Sequence, residues 1–113
     1  MLAQIRPAAL AAWISEVQPQ GQALVLDVRE PWEVQTASVK PVGFELRAIP
    51  MNVLGARLHE LDRSQPIACL CHHGARSMQV ANFLIHQGFV CVANISGGID
   101  AWAQELDTTV PRY

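Results

Sequence analysis

The sequence of 113 residues is poor in charge, and the charge that it has is not concentrated anywhere. Only 16% of the residues are charged, eight Lys and Arg against ten Asp and Glu, for a formal net charge of −2 at pH 7. The basic residues are scattered, so the positive patch by which proteins bind nucleic acids is missing. No apolar run approaches the roughly 20 residues that cross a bilayer, and the stretch at residues 8–14 fits an amphipathic helix better than a signal peptide. We therefore expect no nucleic-acid partner, no membrane association and a cytoplasmic location.

Cysteine is also scarce, with three residues, an odd number. A chain of this length can fold without covalent cross-links, so we expect reduced thiols rather than a disulfide framework. Cys69 and Cys71 are spaced C-x-C, and His72 and His73 are adjacent. No second pair of ligands is evident, so the pattern is unlike that of a zinc site. The sequence therefore predicts neither a metal site nor a bound cofactor.

The sequence is rich in hydrophobic residues, which make up 50% of the chain and follow alternating helical and strand patterns. The spacing i, i+3, i+4, i+7 of an amphipathic helix is found at Leu10, Trp13, Ile14 and Val17. Further helices are predicted at residues 52–62, 76–87 and from 97 onward, with a short helix or turn at 29–38. Apolar runs predict buried strands at residues 23–28, 66–71 and 89–95, and a brief strand within 44–51. Residues 1–113 are thus expected to form one α/β domain, a parallel sheet with helices on both faces.

Cys71 is predicted to lie where a strand ends, five residues before Arg76 opens a helix. In α/β sheets ligands bind at the carboxyl ends of strands, near helix N-termini. A tight strand-to-helix loop directs successive backbone N–H groups into one concavity that attracts anions, and the helix dipole adds to this attraction. Gly74 allows the loop to curl, Arg76 adds a positive charge and Ser77 offers a hydroxyl donor. Together these groups favour the thiolate of Cys71, a nucleophilic sulfur in an anion cradle.

The remaining cysteines and histidines have plainer interpretations. Cys69 and Cys91 fall inside predicted strands, and we expect both to be small buried core residues. His72 and His73 either raise the positive potential around the donor or are simple loop residues. Neither histidine is assigned as a general base, because a stabilised thiolate needs none.

Asp27 and Arg29 follow the first predicted strand and are therefore expected at the same edge of the sheet as Cys71. One interpretation is structural, as an ion pair or a carboxylate that caps a helix. The alternative is direct contact between Arg29 and the substrate. The sequence leaves both alternatives open.

Four motifs occur in the order expected of a rhodanese-like domain: LDVREPWEV, IPM, CHHGARS and GGIDAW. On these motifs the sequence, from about Gln22 onward, resembles small single-domain rhodaneses of the thiosulfate sulfurtransferase family. The resemblance implies a three-layer fold with a five-stranded parallel sheet, and a Cys71 that carries a persulfide. It implies a sulfurtransferase that takes a sulfane sulfur from thiosulfate or a similar small-molecule donor and passes it to a thiol or protein acceptor. The substrate-binding residues would then be Arg29, His72, His73, Gly74, Ala75, Arg76 and Ser77, with Asp27 structural near the site.

The resemblance has departures and leaves alternatives. Dual-specificity phosphatases that share the fold have five residues between Cys and Arg, whereas four separate Cys71 from Arg76, so sulfur transfer is favoured over phosphate-ester hydrolysis. The His-Ile-x-Gly-Ala segment of many rhodaneses is absent from residues 37–51. The sequence leaves open whether Lys40, Arg47 or neither lines the entrance. The main alternative is a sulfur-relay or regulatory binding module that takes persulfide sulfur from a protein partner. The oligomeric state is left open.

Overall fold

Five short parallel strands form the centre of the structure, a computed structural model that describes residues 2–113. The order across the sheet is β1-β5-β4-β2-β3, and every neighbouring pair is parallel. The strands are β1 (Ala3–Ile5), β2 (Leu24–Asp27), β3 (Glu45–Ala48), β4 (Ile67–Leu70) and β5 (Val92–Ile95). The helices are α1 (Leu10–Val17), α2 (Pro31–Thr36), α3 (Ala75–His86) and α4 (Gly98–Glu105). Short 3-10 helices span Pro7–Ala9, Gln18–Gln20, Met51–Val53 and Gly55–Glu60.

Alternating side chains of the strands supply two hydrophobic cores, one on each face of the sheet. The three central strands β2, β4 and β5 are buried at every position, so each strand feeds both cores. One core joins strand residues to α1 and α4 through Leu10, Trp13, Ile99 and Trp102. The other joins them to α3 and the 3-10 segments through Leu54, Leu61, Val80 and Leu84. The α/β fold with a five-stranded parallel sheet covered on both faces is thus confirmed.

Three elements of the structure differ from what the sequence predicted. The hydrophobic pattern missed β1, because this edge strand carries the exposed residues Ala3 and Gln4 rather than an apolar run. Residues 52–62 form two 3-10 helices instead of one α-helix, with the helix-weakening Gly55 at the start of the second. The last strand begins at Val92 rather than at residue 89, and Val90 is exposed before it.

The carboxyl ends of β2, β4 and β5 lie side by side at one edge of the sheet. Asp27 ends β2, Cys71 directly follows β4, and the turn at Ser96 and Gly97 follows β5. This is the edge at which open parallel sheets bind their ligands. Within residues 2–113, no helix has the length and apolar character needed to span a membrane.

Candidate active site

Cys71 is the first residue after β4, and only 1% of it is exposed. The chain then turns through His72 and His73 to Gly74, which has the left-handed φ of 107° and precedes α3. A Cβ at Gly74 would lie 3.2 Å from the backbone nitrogen of Gly97. A glycine is therefore required both by the backbone conformation and by the close approach of the turn after β5.

The sulfur of Cys71 contacts two of the loop groups that the sequence predicted. The N–H of Gly74 donates to Sγ over 3.1 Å, and the thiol donates to Oγ of Ser77 over 3.3 Å. Both contacts are buried. The amide of Gly74 thus donates to the sulfur, whereas the hydroxyl of Ser77 accepts from it instead of donating as the sequence predicted.

The N-terminus of α4 holds the loop by its carbonyl groups. The N–H of Ile99 donates to the carbonyl of Cys71 over 2.9 Å, and the N–H of Asp100 donates to that of His72 over 3.1 Å. In a trans peptide the C=O and the following N–H point in opposite directions. The amides of His72 and His73 therefore point away from α4.

Several backbone donors of the loop remain free. Within the described residues, the N–H groups at positions 72, 73, 75, 76 and 77 have no protein acceptor. The last three belong to the first turn of α3, where a helix has no acceptor of its own to offer. Ala75 is exposed at this turn. A loop with free amides at a helix start is suited to binding an anion.

Arg76 does not present a free positive charge, in contrast to the expectation from sequence. Its guanidinium donates to both carboxylate oxygens of Glu33 in α2, over 2.6 and 2.8 Å. The pKa of Glu33 is lowered from 4.5 to about 2, chiefly by the hydrogen bonds from Arg76. Burial raises this pKa, but hydrogen bonds from Tyr113 and from the backbone of Glu30 add to the lowering. Both partners are therefore ionised at neutral pH, and the pair has no net charge.

Arg29 lies beneath this edge of the sheet and is 0% exposed. Its guanidinium binds both carboxylate oxygens of Asp27 over 2.9 and 2.7 Å, and it donates to the carbonyls of Glu33 and Ala37. A fourth residue that accepts from Arg29 is Tyr113, through its hydroxyl at 2.9 Å. The donors of Arg29 are thus used inside the protein, which favours a structural role over contact with the substrate.

Aromatic rings stack beside the Cys71 loop. The ring of His72 lies parallel to that of Tyr113 with 4.0 Å between centroids, and His73 stacks on its other side at 4.0 Å. Nδ1 of His73 is 4.0 Å from a carboxylate oxygen of Asp100. Tyr113 in turn donates from its hydroxyl to Glu33 over 2.7 Å. The two histidines thus stack with Tyr113, and within the described residues neither makes a hydrogen bond to the sulfur.

Three residues of this region, Glu33, Asn94 and Tyr113, were not predicted from the sequence. Glu33 carried a usable signal, because it stands three residues after Glu30 at a helix start and forms a capping box with it. Asn94 is a polar residue within a buried strand, which is a signal in itself. Nothing in the sequence around Tyr113 indicates its place beside His72.

The two residues considered for the entrance are engaged in other contacts. Arg47 donates to Glu45 and to the carbonyl of Glu60. Lys40 lines a cavity of about 320 Å³ between α1 and α4. Within residues 2–113, neither side chain donates a hydrogen bond to the Cys71 loop.

A cysteine at the carboxyl edge of a parallel sheet, in a loop of free amides before a helix, defines this chain as an α/β domain with a cysteine-centred anion loop. Comparison with known families agrees: the family model described as "Rhodanese-like domain" matches residues 7–105. The chain therefore belongs to the rhodanese-like domain family.

Relatives with curated names include two of different size. The chain is 40% identical over 96 residues to a chloroplastic rhodanese-like/PpiC domain-containing protein of Arabidopsis thaliana, with 81% of the chain and 31% of that protein covered. It is 35% identical over 81 residues to a protein of Allochromatium vinosum named sulfurtransferase, with 72% of each covered. Of the first of these relatives the chain thus spans less than a third.

Solved structures share the fold. A rhodanese-related protein from Thermoplasma volcanium superposes with a TM-score of 0.73 and 31% identity, over 92% of this chain and 93% of the other. The likeness extends over nearly the whole of both chains.

Proposed function

We propose that this protein is a sulfurtransferase that carries sulfur as a persulfide on Cys71. The observation that carries the proposal is the placement of Cys71. Its Sγ accepts a hydrogen bond from the N–H of Gly74, and the loop that it begins has five free amides. The family and the sulfurtransferase relative of Allochromatium vinosum support sulfur transfer as the type of activity. We further propose that the sulfur donor is thiosulfate or a similar compound.

In the first step the thiolate of Cys71 attacks the outer, sulfane sulfur of the donor. With thiosulfate, the S–S bond of the donor breaks, and its electron pair leaves with sulfite. Cys71 then carries a persulfide, with one negative charge on the outer sulfur. Free backbone N–H groups that surround this charge stabilise it as an oxyanion hole does.

In the second step a thiophilic acceptor attacks the outer sulfur of the persulfide. The S–S bond breaks, and its electron pair returns to Cys71 as a thiolate. Cyanide would give thiocyanate in an assay, whereas a thiol or a protein cysteine would become the persulfide in a cell. Two half-reactions through a covalent intermediate predict ping-pong kinetics.

A sulfur-relay module that takes its sulfur from a protein persulfide is the second candidate. Cys71 is almost fully buried, which limits access to the sulfur for a small donor and for a protein alike. Arg76 is neutralised by Glu33, so the loop lacks a free guanidinium for a doubly charged donor such as thiosulfate. A protein donor that docks on the loop would not depend on that guanidinium.

Intact mass spectrometry tests the persulfide. After incubation with thiosulfate and removal of the excess, the wild-type chain should gain the mass of one sulfur atom. Cys71→Ser should gain nothing, and Cys91→Ser should behave as the wild type. Cys91 is the matched control because it is a more accessible thiol than Cys71 outside the loop.

A gain of sulfur that persists in Cys71→Ser would contradict the proposal, as would the absence of any gain with thiosulfate, polysulfide and a protein persulfide alike. Turnover with thiosulfate and cyanide separates the two candidates. Steady turnover supports the enzyme, whereas a persulfide formed only from a protein donor supports the relay. Hydrolysis of a phosphate ester that depends on Cys71 would refute both.

A further inference from the structure

Asn94 is a buried polar residue in the middle of an apolar strand. Its exposure is 1%, and the neighbouring positions of β5 are Val92, Ala93 and Ile95. Asparagine is disfavoured in strands, and burial of an amide costs free energy unless it is hydrogen-bonded. The side-chain amide of Asn94 therefore needs hydrogen-bond partners inside the protein.

The side-chain amide of Asn94 links three elements at the start of α3. Oδ1 accepts from the hydroxyl of Ser77 over 2.5 Å, while Nδ2 donates to Oε1 of Gln4 over 3.0 Å and to the carbonyl of Gly74 over 3.3 Å. The carbonyl of Gly74 can only accept, so the nitrogen must face it. This orientation directs the amide oxygen towards Ser77.

Ser77 has one hydroxyl hydrogen and three groups that can accept it. Oγ lies 2.5 Å from Oδ1 of Asn94, 3.3 Å from the carbonyl oxygen of Gly74 and 3.3 Å from Sγ of Cys71. The carbonyl of Gly74 also accepts from Nδ2 of Asn94 and from the N–H of Met78, so Asn94 is the nearest and least occupied acceptor. When Cys71 is a thiol, the bonds form a chain: the S–H donates to Ser77, and Ser77 donates to Asn94. When Cys71 ionises, the sulfur becomes a charged acceptor and competes with Asn94 for the same hydrogen.

We propose that Asn94 is a positioning residue that holds the hydroxyl hydrogen of Ser77 away from Cys71 and so favours the thiol over the thiolate. This inference rests on the proposed function, in which the thiolate of Cys71 is the nucleophile. If Ser77 turns to the thiolate, Oδ1 of Asn94 is left buried without a donor, a state that is costly. The proton that Cys71 loses passes to solvent, and the hydroxyl hydrogen of Ser77 only changes direction.

The same bonds would distinguish the thiolate from the persulfide. In a persulfide the negative charge lies on the outer sulfur, so Sγ no longer demands the hydrogen of Ser77. The bond from Ser77 to Asn94 is then restored. Asn94 would thus leave the thiolate as the least satisfied state of Cys71 and favour its conversion to the persulfide.

Other charged or titratable groups face Cys71 from the surrounding elements. Arg76 of α3 interacts with it electrostatically, and Glu33 of α2 neutralises this arginine. The buried thiol of Cys69 in β4 has its pKa raised by burial, with a smaller contribution from Cys71. His72 is adjacent in the loop. A substitution at Asn94 leaves these groups in place, because none of them is a hydrogen-bond partner of Asn94.

Four more charged or titratable side chains lie around the loop, and one of them is Tyr113, which stacks on His72. His73 lies in the loop, Asp100 lies in α4, and Arg112 binds Asp100. These groups are likewise retained in an Asn94 variant. The pH dependence of Cys71 can therefore be compared between variants.

The test is the pH profile of Cys71 alkylation by iodoacetamide, read by peptide mass spectrometry. Asn94→Leu removes the nearest acceptor of the Ser77 hydroxyl and leaves the thiolate to compete only with the carbonyl of Gly74, at 3.3 Å. The midpoint of the profile should fall by about half a pH unit, roughly a threefold change in the thiolate-to-thiol ratio. Asn94→Asp offers a stronger acceptor and a negative charge, so its midpoint should rise.

Shifts in the same direction for Asn94→Leu and Asn94→Asp, or no shift in either, would overturn the inference. The effect of Asn94→Leu should disappear in a Ser77→Ala background, and a shift that persists there also overturns it. Gln4→Ala serves if the Asn94 variants do not fold, because Gln4 is exposed. It frees Nδ2 of Asn94 and should lower the midpoint by a smaller amount, and an unchanged midpoint counts against the inference.

The two proposals fail independently. A midpoint that shifts as expected in a protein that never gains sulfur upholds the role of Asn94 and refutes the sulfurtransferase. If the protein gains sulfur on Cys71 but the midpoint does not change in the Asn94 variants, the sulfurtransferase is upheld and the role of Asn94 is refuted. Alkylation and sulfur loading are therefore measured on the same set of variants.

Discussion

At Gly98 the backbone of α4 comes closer to the Cys71 loop than any side chain would permit. An added Cβ would lie 2.4 Å from the carbonyl oxygen of His72 and 2.5 Å from that of Cys71. These are the carbonyls that receive the first amides of α4. Since they fix the direction of the following loop amides, one missing side chain determines the geometry around the sulfur.

We predict that Gly98→Ala will disturb the loop as well as the stability. The φ of 60° is unfavourable for alanine, and the contact is with backbone that cannot move aside. The free energy of unfolding should fall by about 2–4 kcal/mol in urea titrations. The rate of sulfur loading on Cys71 should fall about tenfold, the equivalent of some 1.4 kcal/mol.

Gly43→Ala is the matched control for Gly98→Ala. Gly43 also has a left-handed φ, 77°, but nothing lies within 4 Å of its added Cβ. It should lose only about 1 kcal/mol and load sulfur at the wild-type rate. Equal behaviour of the two variants would show that the close approach to the loop has no functional effect.

At the scale of elements, Glu33 joins α2 to α3. One of its carboxylate oxygens accepts the N–H of Glu30 over 3.1 Å and so caps its own helix. The carboxylate also holds Arg76 at the start of α3. Because Glu33 is buried, its charge is tolerated only with these partners, and the two helices depend on each other.

We predict that this link makes a pH-dependent contribution to stability. The pKa of Glu33 falls from 4.5 to about 2 in the folded protein, so the folded state binds the proton more weakly than the unfolded state. The contribution is complete above pH 4.5 and is lost as the pH falls towards 2. Glu33→Gln should therefore show a smaller loss of unfolding free energy than the wild type between these values, in urea titrations.

Glu60→Gln is the control for the pH series. Glu60 pairs with Arg57 on the surface, where an ion pair contributes little. Its stability profile should follow that of the wild type across the acid range. If Glu33→Gln also follows the wild type, the link between α2 and α3 does not depend on the charge of Glu33.

At the scale of the whole molecule, Arg29 joins segments that are far apart in the chain. It binds Asp27 at the end of β2, the carbonyls of Glu33 and Ala37 around α2, and the hydroxyl of Tyr113. The last contact spans 84 residues of sequence. A single buried guanidinium thus fixes the sheet edge, a helix and the final segment together.

We predict that Arg29→Ala will strongly destabilise the fold, because Asp27 would be left as a buried charge without its partner. The expected loss is about 3–5 kcal/mol in urea unfolding at neutral pH. Arg47→Ala, which breaks a half-exposed pair with Glu45, should cost about 0–1 kcal/mol. A loss in Arg29→Ala no larger than that in Arg47→Ala would contradict the structural role.

Features that depend on neighbours in sequence could be predicted from the sequence alone. The apolar runs at β2 and β4 specified buried strands, because a strand in a covered sheet has no polar side. The position of Cys71 at a strand end and a helix start at Arg76, one residue after α3 begins, followed from the same local rules. These rules act over a few residues, which is why they hold without knowledge of the fold.

Only the tertiary structure decided what each local feature meets. Arg76 is neutralised by Glu33, 43 residues away, and Ser77 donates to Asn94, 17 residues away. The strand β1 is formed by pairing with β5 rather than by its own pattern. These contacts depend on how helices and strands pack, a long-range property that no short stretch of sequence encodes. The sequence thus determined which sulfur stands at the edge of the sheet, and packing determined which charges and hydrogen atoms surround it.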